Sequence, residues 1–478
     1  MKKERFYQIT HFLADLIKGT EFEHHVYVVG GAVRDLLMGN EIKDIDLVID
    51  LPDGGTRLAD YFGEMRYSFN NVVYPTYGTA MFHLNAFPDE EIECVMTRGE
   101  KYVDKNSRNP VCVFDTIEAD AVRRDLTINA IYYNVTTGEI YDPTGGEEDI
   151  KNCKPVRTTN NNPDVVFDDD ALRILRVARF ATKYNLGIED KTYESMVKYV
   201  DRLGIISKER IQTELNKILC CKNATYGIRT LMNIGAMKYI IPELEETVGL
   251  EQNKYHFGDV FEHTMALIDH YHNVMISKGD EPDLVTLIAL LLHDIGKIRT
   301  RSFENGSIHF YEHEHVGAKM IVDILKELKY DNDTIKEVQF LVKNHMRTKN
   351  FGDNMEGMKP KSFNKLAYEC GNKERYLRLA TVIECDNQSH SQDHLIHGHF
   401  DKMVSCLPMA EKMFGYKLPI SGDDVMNELG IKPGRDVKLV LDRLMKTAFR
   451  VPNIKRDSCL KQIKFIYKQI QHEKTKKN

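Results

Sequence analysis

No stretch of this 478-residue chain stays apolar long enough to cross a bilayer: the longest, Val285 to Leu292, falls far short of the ~20 residues required. Met1 to Thr20 also lacks the apolar segment of a secretory signal, so the expected location is the cytoplasm, with no membrane contact. The nine cysteines form no CxxC pair and show no disulfide-like spacing, and Cys220 and Cys221 are adjacent, which suits reduced thiols. Prolines are few, and neither a low-complexity tract nor a fixed-period repeat is present, which excludes a long disordered region. An excess of positive charge is missing too. The formal net charge is −7, so any nucleic-acid contact must come from local patches. The most basic segment is the C-terminal stretch 450–478, where Arg450, Lys455, Arg456, Lys461, Lys464, Lys468, Lys474, Lys476 and Lys477 meet only Asp457 and Glu473; it reads as a solvated tail or a basic patch.

What is there is a structured chain, 42% hydrophobic and 29% charged, long enough for three or four units. Strand-like runs at Val26–Val29, Ile45–Ile49, Ala80–Leu84 and Ile92–Met96 precede about Asp142, with helical pieces between them. After Asp168 apolar residues recur at spacings of three and four almost everywhere, giving an α+β head followed by an all-α neck and body. The turn clusters Asp142-Pro143-Thr144-Gly145-Gly146 and Asn160-Asn161-Asn162-Pro163 bracket the junction.

Three constellations carry chemistry. In the first, Tyr27-Val28-Val29-Gly30-Gly31-Ala32-Val33-Arg34-Asp35 runs from a strand through two glycines into a helix, a geometry that lets backbone N–H groups approach a triphosphate. Nine residues beyond Asp35 comes Asp44-Ile45-Asp46. Side chains two apart on a strand share a face, so Asp44 and Asp46 point together and can hold a pair of Mg²⁺ ions while Ile45, Leu47 and Ile49 face the core. Gly-Gly turn and DxD together resemble the catalytic signature of the DNA polymerase β nucleotidyltransferase superfamily, which often adds a third carboxylate on a neighbouring strand; Glu91 and Glu93 are the candidates.

The second constellation is Arg123-Arg124-Asp125-Leu126-Thr127-Ile128-Asn129-Ala130. Guanidinium forks suit triphosphate oxygens, and Asp125 and Asn129, one helical turn apart, are placed to read ribose hydroxyls. The blocks GGAVRD, KDIDLV, RRDLTINA, DPTGG, DDALRILRVARF and ISKERI, in that order over roughly residues 25 to 215, resemble the bacterial class II CCA-adding enzymes and their poly(A) polymerase relatives. That resemblance implies a polymerase-β-type head with a mixed sheet, Gly30, Gly31 and Arg34 among the nucleotide-binding residues, and a neck helix that selects the base. Asp170 and Arg173, three apart on one face, match the base-reading pair, with Arg176 and Arg179 continuing the period. A carboxylate accepts from the exocyclic amine of C or A and an arginine donates to the neighbouring ring nitrogen, whereas U or G would leave groups unpaired. The family commonly has glutamate where this chain has Asp169. Thr97 to Tyr102 and Ser107-Arg108-Asn109-Pro110 resemble the family's flexible loop, which helps the switch from C to A addition.

The third constellation is His263, His293-Asp294, His313, His345 and Asp386, spread over several helical patterns. Imidazoles and carboxylates so spaced can converge on Mg²⁺, Mn²⁺, Ni²⁺ or Fe²⁺ and activate water against phosphoesters. The pattern resembles the HD phosphohydrolase domain, whose tRNA-family members remove 3′-phosphate or 2′,3′-cyclic phosphate; His309, His315, His390, His394, His397 and His399 are read as incidental. Ser421 to Gly434 looks like the family's C-terminal RNA-binding helices, with Arg435 in place of a commonly found proline.

The expected division is a nucleotidyltransferase head (1–145), a neck (146–250), an HD domain (251–400) and C-terminal RNA-binding helices (401–478). The resemblance implies addition or repair of the CCA 3′ end of tRNA from CTP and ATP, with the tRNA 3′ end as partner and no stable protein partner inferable. The alternatives are a poly(A) polymerase or an enzyme adding only A or only CC. A protein uridylyltransferase would need further regulatory domains for which the chain has no room, and a noncatalytic tRNA-binding protein would not need intact Asp44, Asp46 and His293-Asp294.

Overall fold

The computed structural model describes the chain except for residues 76–77, 102–110, 253–257, 277–278 and 476–478. Tyr102, Ser107 to Pro110, Lys476 and Lys477 therefore lie outside the described residues. The chain divides into two units, Met1–Ile240 and Ile241–Asn478.

In the first unit a seven-stranded mixed sheet is built from β1 (Val26–Val29), β2 (Ile45–Ile49), β3 (Ser68–Tyr74), β4 (Thr79–Leu84), β5 (Phe87–Met96), β8 (Tyr132–Asn134) and β9 (Ile140–Tyr141), in the order β3-β4-β5-β2-β1-β8-β9. A separate two-stranded ribbon pairs β6 (Arg98–Lys101) with β7 (Val111–Phe114). Only the β2–β5 pair runs parallel; β2 is antiparallel to β1. Period-two alternation sets the faces: Ile45, Leu47 and Ile49 are buried in the main core with Phe6, Phe62 and Phe82, while Asp46 is exposed. Phe62 and Phe82 meet edge to face at 5.5 Å, and each such fully buried ring contributes roughly 1.5–3 kcal/mol. On the opposite face Val48 packs with Val29, Ile117, Ala121, Ala130 and Tyr132 in a small second core.

Helices α1 (Lys3–Ile17), α2 (Gly31–Met38), α3 (Gly54–Glu64) and α4 (Ile117–Arg123) flank the sheet. Gly55 is required by close approach, since a Cβ there would lie 2.6 Å from the Gly78 carbonyl oxygen and 2.7 Å from that of Cys94. The DPTGG turn is tied by Asp142, whose carboxylate accepts the backbone N–H of Gly145 and Gly146 at 3.0 Å and of Glu147 at 2.8 Å, and it opens α5 (Gly146–Lys151). Asn162 caps α6 (Pro163–Asp169), whose first residue is Pro163. In α7 (Leu172–Tyr184), Leu172, Ile174, Leu175, Val177, Ala178 and Phe180 are buried and Arg173, Arg176 and Arg179 occupy the half-exposed face.

Among the described residues the strands of the second unit form one hairpin, β10 (Arg301–Glu304) and β11 (Ser307–Phe310), which the all-helical expectation missed. Its turn residues Asn305 and Gly306 both have positive φ, +51° and +79°, a demand that the Asn-Gly dipeptide meets. The helix Leu284–Leu292 is apolar all round because it is enclosed by the helices Val260–His270, Asn332–Asn344 and Lys373–Asn387. No helix among the described residues is long and apolar enough to cross a membrane.

Candidate active sites

The head site forms across three adjacent strands, β1, β2 and β5. Antiparallel register sets Val29 opposite Asp46, and parallel register sets Asp46 beside Glu93. Gly30 then turns away from β1 with φ +77°, and a Cβ on it would lie 3.9 Å from Asp46 Oδ2. The Gly-Gly turn thus abuts the carboxylates. Asp44, one residue before β2, is exposed like Asp46 and Glu93. Partial desolvation of the carboxyl by neighbouring atoms, the Glu93 charge and the Asp44 charge together push Asp46 up to about 6, and Arg124 only partly offsets them. A crowded set of oxygen donors with surplus negative charge fits a hard divalent cation.

The arginine motif departs from the expected helix. Helix α4 ends at Arg123, Asp125 and Leu126 lie beyond it, and Thr127–Asn129 form a single 3-10 turn. Asp125 and Asn129 still meet: Asn129 Nδ2 donates to Asp125 Oδ1 at 3.2 Å. Asp125 Oδ2 accepts Arg176 Nε at 2.6 Å, and Asn129 Oδ1 accepts Arg34 Nη1 at 2.6 Å. Arg34 also grips Asp35 at 3.0 and 2.8 Å and lies over the rings of Phe180 and Tyr184. One hydrogen-bonded chain, Arg34–Asn129–Asp125–Arg176, therefore ties α2 and the 3-10 turn to α7.

Arg123 and Arg124 share a partner that the sequence reading left out. Asp120, fully buried, receives Arg123 Nη2 at 2.6 Å, Arg124 Nη2 at 2.9 Å and the Tyr132 hydroxyl at 2.7 Å. Burial alone would raise this carboxyl; the Arg124 and Arg123 charges overcome it and hold the group at about 2. Because the folded value lies below the ordinary 3.8, the stability so gained is complete above about pH 4 and disappears as pH falls toward 2. The shift corresponds to about 2–3 kcal/mol. Asp120→Asn is expected to cost the first unit about 3–5 kcal/mol at pH 7, since two guanidinium groups lose their buried anion, and to flatten the acid limb of a stability–pH curve between pH 4 and 2. Urea denaturation at several pH values reads both effects; an unchanged acid limb would refute the assignment.

At the neck, the expectation places Asp170 and Arg173 on one helix face; Arg173 lies in α7 and Asp170 lies just before it. Asp170 sits in the link between α6 and α7, where its Oδ1 accepts the Leu172 N–H at 3.0 Å and its Oδ2 accepts Arg210 Nη2 at 2.6 Å. Arg173 Nη1 reaches the Val166 carbonyl at 3.4 Å. Arg179 pairs with buried Glu214 at 2.9 Å and lies over the Phe180 ring.

In the second unit the six expected ligands converge. His293-Asp294 follow the central apolar helix, and the backbone crossing that admits His313 needs Gly296, where a Cβ would fall 2.1 Å from the His313 carbonyl oxygen. Asp294 lies 3.0 Å from His293, 3.2 Å from His313, 3.7 Å from His263 and 3.9 Å from His345; His263 is 3.2 Å from Asp386. Two compact triads result, His263–His293–Asp294 and Asp294–His313–His345, sharing Asp294. All four imidazoles set Nδ1 against a backbone carbonyl, of Ser389, Leu290, Phe310 and Val342, at 2.6 to 3.1 Å. With Nδ1–H donating there, each Nε2 lone pair is left for the cluster. His293 Nε2, Asp294 Oδ2 and Asp386 Oδ2 are buried without a well-formed hydrogen bond, and burial pushes His345 down to about 3, keeping it neutral. This donor set fits one or two divalent cations.

Two lysines complete the cluster, buried Lys297 at 2.7 Å from Asp294 and partly buried Lys349 at 2.8 Å from Asp386. His390, set aside on sequence grounds, stacks on His263 at 5.9 Å and lies 3.8 Å from Asp386. His399 is a buried structural residue bonded to the Gly352 carbonyl, with Thr348 and Asn387 also in hydrogen-bond contact.

Fold and sites together define a nucleotidyltransferase head joined to helical units. Matches to known families agree: residues 26–155 match the poly A polymerase head domain, 185–247 the probable RNA and SrmB-binding site of polymerase A, and 255–374 the HD domain. An A-adding tRNA nucleotidyltransferase of Deinococcus radiodurans is 33% identical over 327 residues, 67% of this chain and 68% of that protein. A multifunctional CCA protein of Haemophilus influenzae is 32% identical over 314 residues, 64% of this chain and 70% of that protein. The Bacillus stearothermophilus CCA-adding enzyme, solved in complex with CTP, superposes with a TM-score of 0.70 at 21% identity, covering 99% of this chain and 100% of that one. The chain belongs to the family of tRNA nucleotidyltransferases that contains the CCA-adding and A-adding enzymes.

Proposed function

We propose that this chain adds or repairs the 3′-terminal CCA of tRNA from CTP and ATP. The observation that carries this is the alignment of Gly30, Asp46 and Glu93 across adjacent strands, in a chain whose relatives include A-adding and multifunctional CCA enzymes. The RNA 3′-oxygen attacks the α-phosphorus of the nucleotide, a new P–O bond forms, and the bond to the β-phosphate breaks to release pyrophosphate. Mg²⁺ held by Asp44 and Asp46, with Glu93 as third ligand, would supply Lewis acidity at the attacking oxygen and neutralise the leaving group. The turn at Gly30 and Gly31 cradles the triphosphate through backbone N–H groups; Arg123 and Arg124, held side by side by Asp120, face its oxygens. Asp125 and Asn129 position the ribose. Arg34, Arg176 and Arg179 belong to the nucleotide-binding set, and Arg34 and Arg176 also hold Asn129 and Asp125 in place. Asp170 accepts from the amine of C or A while Arg173 donates to the ring nitrogen. We take residues 1–145 as head, 146–250 as neck, 251–400 as HD domain and 401–478 as RNA-binding helices.

Base choice tests this reading. Each well-formed base contact is worth ~1–3 kcal/mol, so Asp170→Ala is expected to lower the kcat/KM ratio of CTP over UTP at least tenfold. An unchanged ratio would remove Asp170 from base recognition and leave it the structural partner of Arg210.

A second reading concerns the second unit. His263, His293, Asp294, His313, His345 and Asp386 hold a divalent cation, Mg²⁺, Mn²⁺, Ni²⁺ or Fe²⁺, and hydrolyse a phosphate ester at a damaged RNA end before extension. The observation favouring it is the common orientation of the four imidazoles.

A further inference from the structure

Tyr184, the last residue of α7, belongs to none of the three constellations, yet it sits at the outer end of the hydrogen-bonded chain that begins at Arg34. The helix stops there because Asn185 takes the left-handed conformation, φ +53°, and its N–H closes onto the Ala181 and Thr182 carbonyls. The Tyr184 hydroxyl donates to Asp35 Oδ1 at 2.9 Å. Its ring stacks on Phe180 with centroids 6.1 Å apart and 10° between planes, and the Arg34 guanidinium lies 5.3 Å from the first ring and 5.0 Å from the second. Burial raises the Tyr184 hydroxyl, so it remains a donor; burial also raises the Asp35 carboxyl, but the hydrogen bond and charge of Arg34 outweigh it and keep that group an acceptor. What Arg34 then fixes is an orientation. Its Nε and Nη2 are taken by Asp35, and Nη1 goes to Asn129 Oδ1. A side-chain amide has nearly the same shape when turned end for end, but a guanidinium only donates and a carboxylate only accepts. With Arg34 on Oδ1 and Asp125 on Nδ2, Asn129 has one orientation; with Arg34 loose it has two.

We infer that Tyr184 is a positioning residue for sugar recognition. Its hydroxyl, through Asp35, and its ring, against Arg34, hold that guanidinium on Asn129, so that the amide offers its remaining donor and acceptor to the ribose hydroxyls in one arrangement. The inference rests on the proposed reading of Asp125 and Asn129 as the residues that position the ribose. Base choice stays outside it: the Asp170 carboxylate is held by the Leu172 N–H and Arg210, and shares no hydrogen-bond partner with this chain among the described residues. Tyr184 therefore tunes one selectivity and not the other.

The test uses the full chain and a tRNA transcript lacking CCA, and reads kcat/KM for CTP, dCTP and UTP together with dissociation constants for CTP and dCTP. Tyr184→Phe removes only the hydroxyl, and Tyr184→Leu the ring as well. Tyr239→Phe, which deletes a hydrogen bond to Asp201 on the exposed surface of the same unit, is the control. The preference for CTP over dCTP is expected to fall at least threefold in Tyr184→Phe, about the effect of one hydrogen bond, to fall further in Tyr184→Leu and to hold in Tyr239→Phe. The preference for CTP over UTP should hold in all three. General damage to the fold would lower every rate and move neither preference. In an Asn129→Ala background Tyr184→Phe should no longer change the sugar preference, because it acts through that amide. The inference is overturned if Tyr184→Phe lowers the preference less than threefold, or lowers it as far with Asn129 absent as with it present. A chain that binds CTP over dCTP through Tyr184 yet incorporates neither would sink the proposed reaction alone. One that incorporates CTP with a sugar preference indifferent to Tyr184 would sink this inference alone.

Discussion

Asp46→Asn is expected to lower nucleotide incorporation at least a thousandfold while leaving the melting temperature in metal-free buffer unchanged or higher. The activity loss follows from geometry: Asp46 is the central member of a carboxylate row flanked by Asp44 and Glu93, and it abuts the Gly30 turn, which is proposed to cradle the triphosphate. Removing one group that stabilises developing charge costs about 10²–10³, and loss of a metal ligand adds to that. The stability effect follows from sign. The folded-state carboxyl is raised to about 6, so folding favours its protonated form, and any stability it contributes is present below about pH 4 and lost as pH rises through 6. At neutral pH the charged group works against the fold, and the amide relieves that repulsion. Single-turnover incorporation and thermal denaturation read the two effects separately. Retained activity, or a clear drop in melting temperature, would contradict the role given to Asp46.

The second large effect concerns the helical unit. His313→Asn should empty the metal cluster, with bound divalent metal falling below about a tenth of an ion per chain, and should slow hydrolysis of a 3′-phosphorylated RNA at least a hundredfold. His313 Nε2 is 3.2 Å from the shared ligand Asp294, and its Nδ1 is fixed by the Phe310 carbonyl, so asparagine reproduces neither the reach nor the orientation. Incorporation of CMP and AMP should stay within threefold of wild type, because Asp44, Asp46 and Glu93 belong to the other unit. Elemental analysis and the two assays together decide it. Metal content and hydrolysis both unaltered in the variant would remove His313 from the site; an equal loss of incorporation would show that the two activities are not separable.

How much of this was legible in sequence depended on distance along the chain. The alternation around Ile45-Asp46-Leu47 set both the strand and the outward carboxylate, because a period of two admits one solution once the core face is chosen. Glu93 carried the same signal, flanked by buried Ile92 and Cys94, and its place beside Asp46 needed only the parallel register. Asp120 stands three and four residues before Arg123 and Arg124, a spacing that announces an ion pair, but the same two arginines also fit a phosphate-binding motif with Asp125 and Asn129 downstream. The Asn305-Gly306 hairpin was likewise announced by its dipeptide and hidden by the helical pattern around it. Arg210 on Asp170, Lys349 on Asp386 and His390 on His263 had no local signal at all: each contact joins residues that only the packing of helices brings together. Such partners are fixed by tertiary geometry, and no period in the chain encodes them.

The central claim is that the head builds CCA on tRNA, and the direct measurement is the length and sequence of products made by the purified chain with Mg²⁺ and CTP, ATP and UTP on tRNA ending at the discriminator base, at C and at CC. The account predicts completion to CCA from each end, arrest there, and no UMP. Continued addition of A would mark a poly(A) polymerase, CC alone or A alone a divided pathway, and no incorporation on any of the three ends would contradict the account outright.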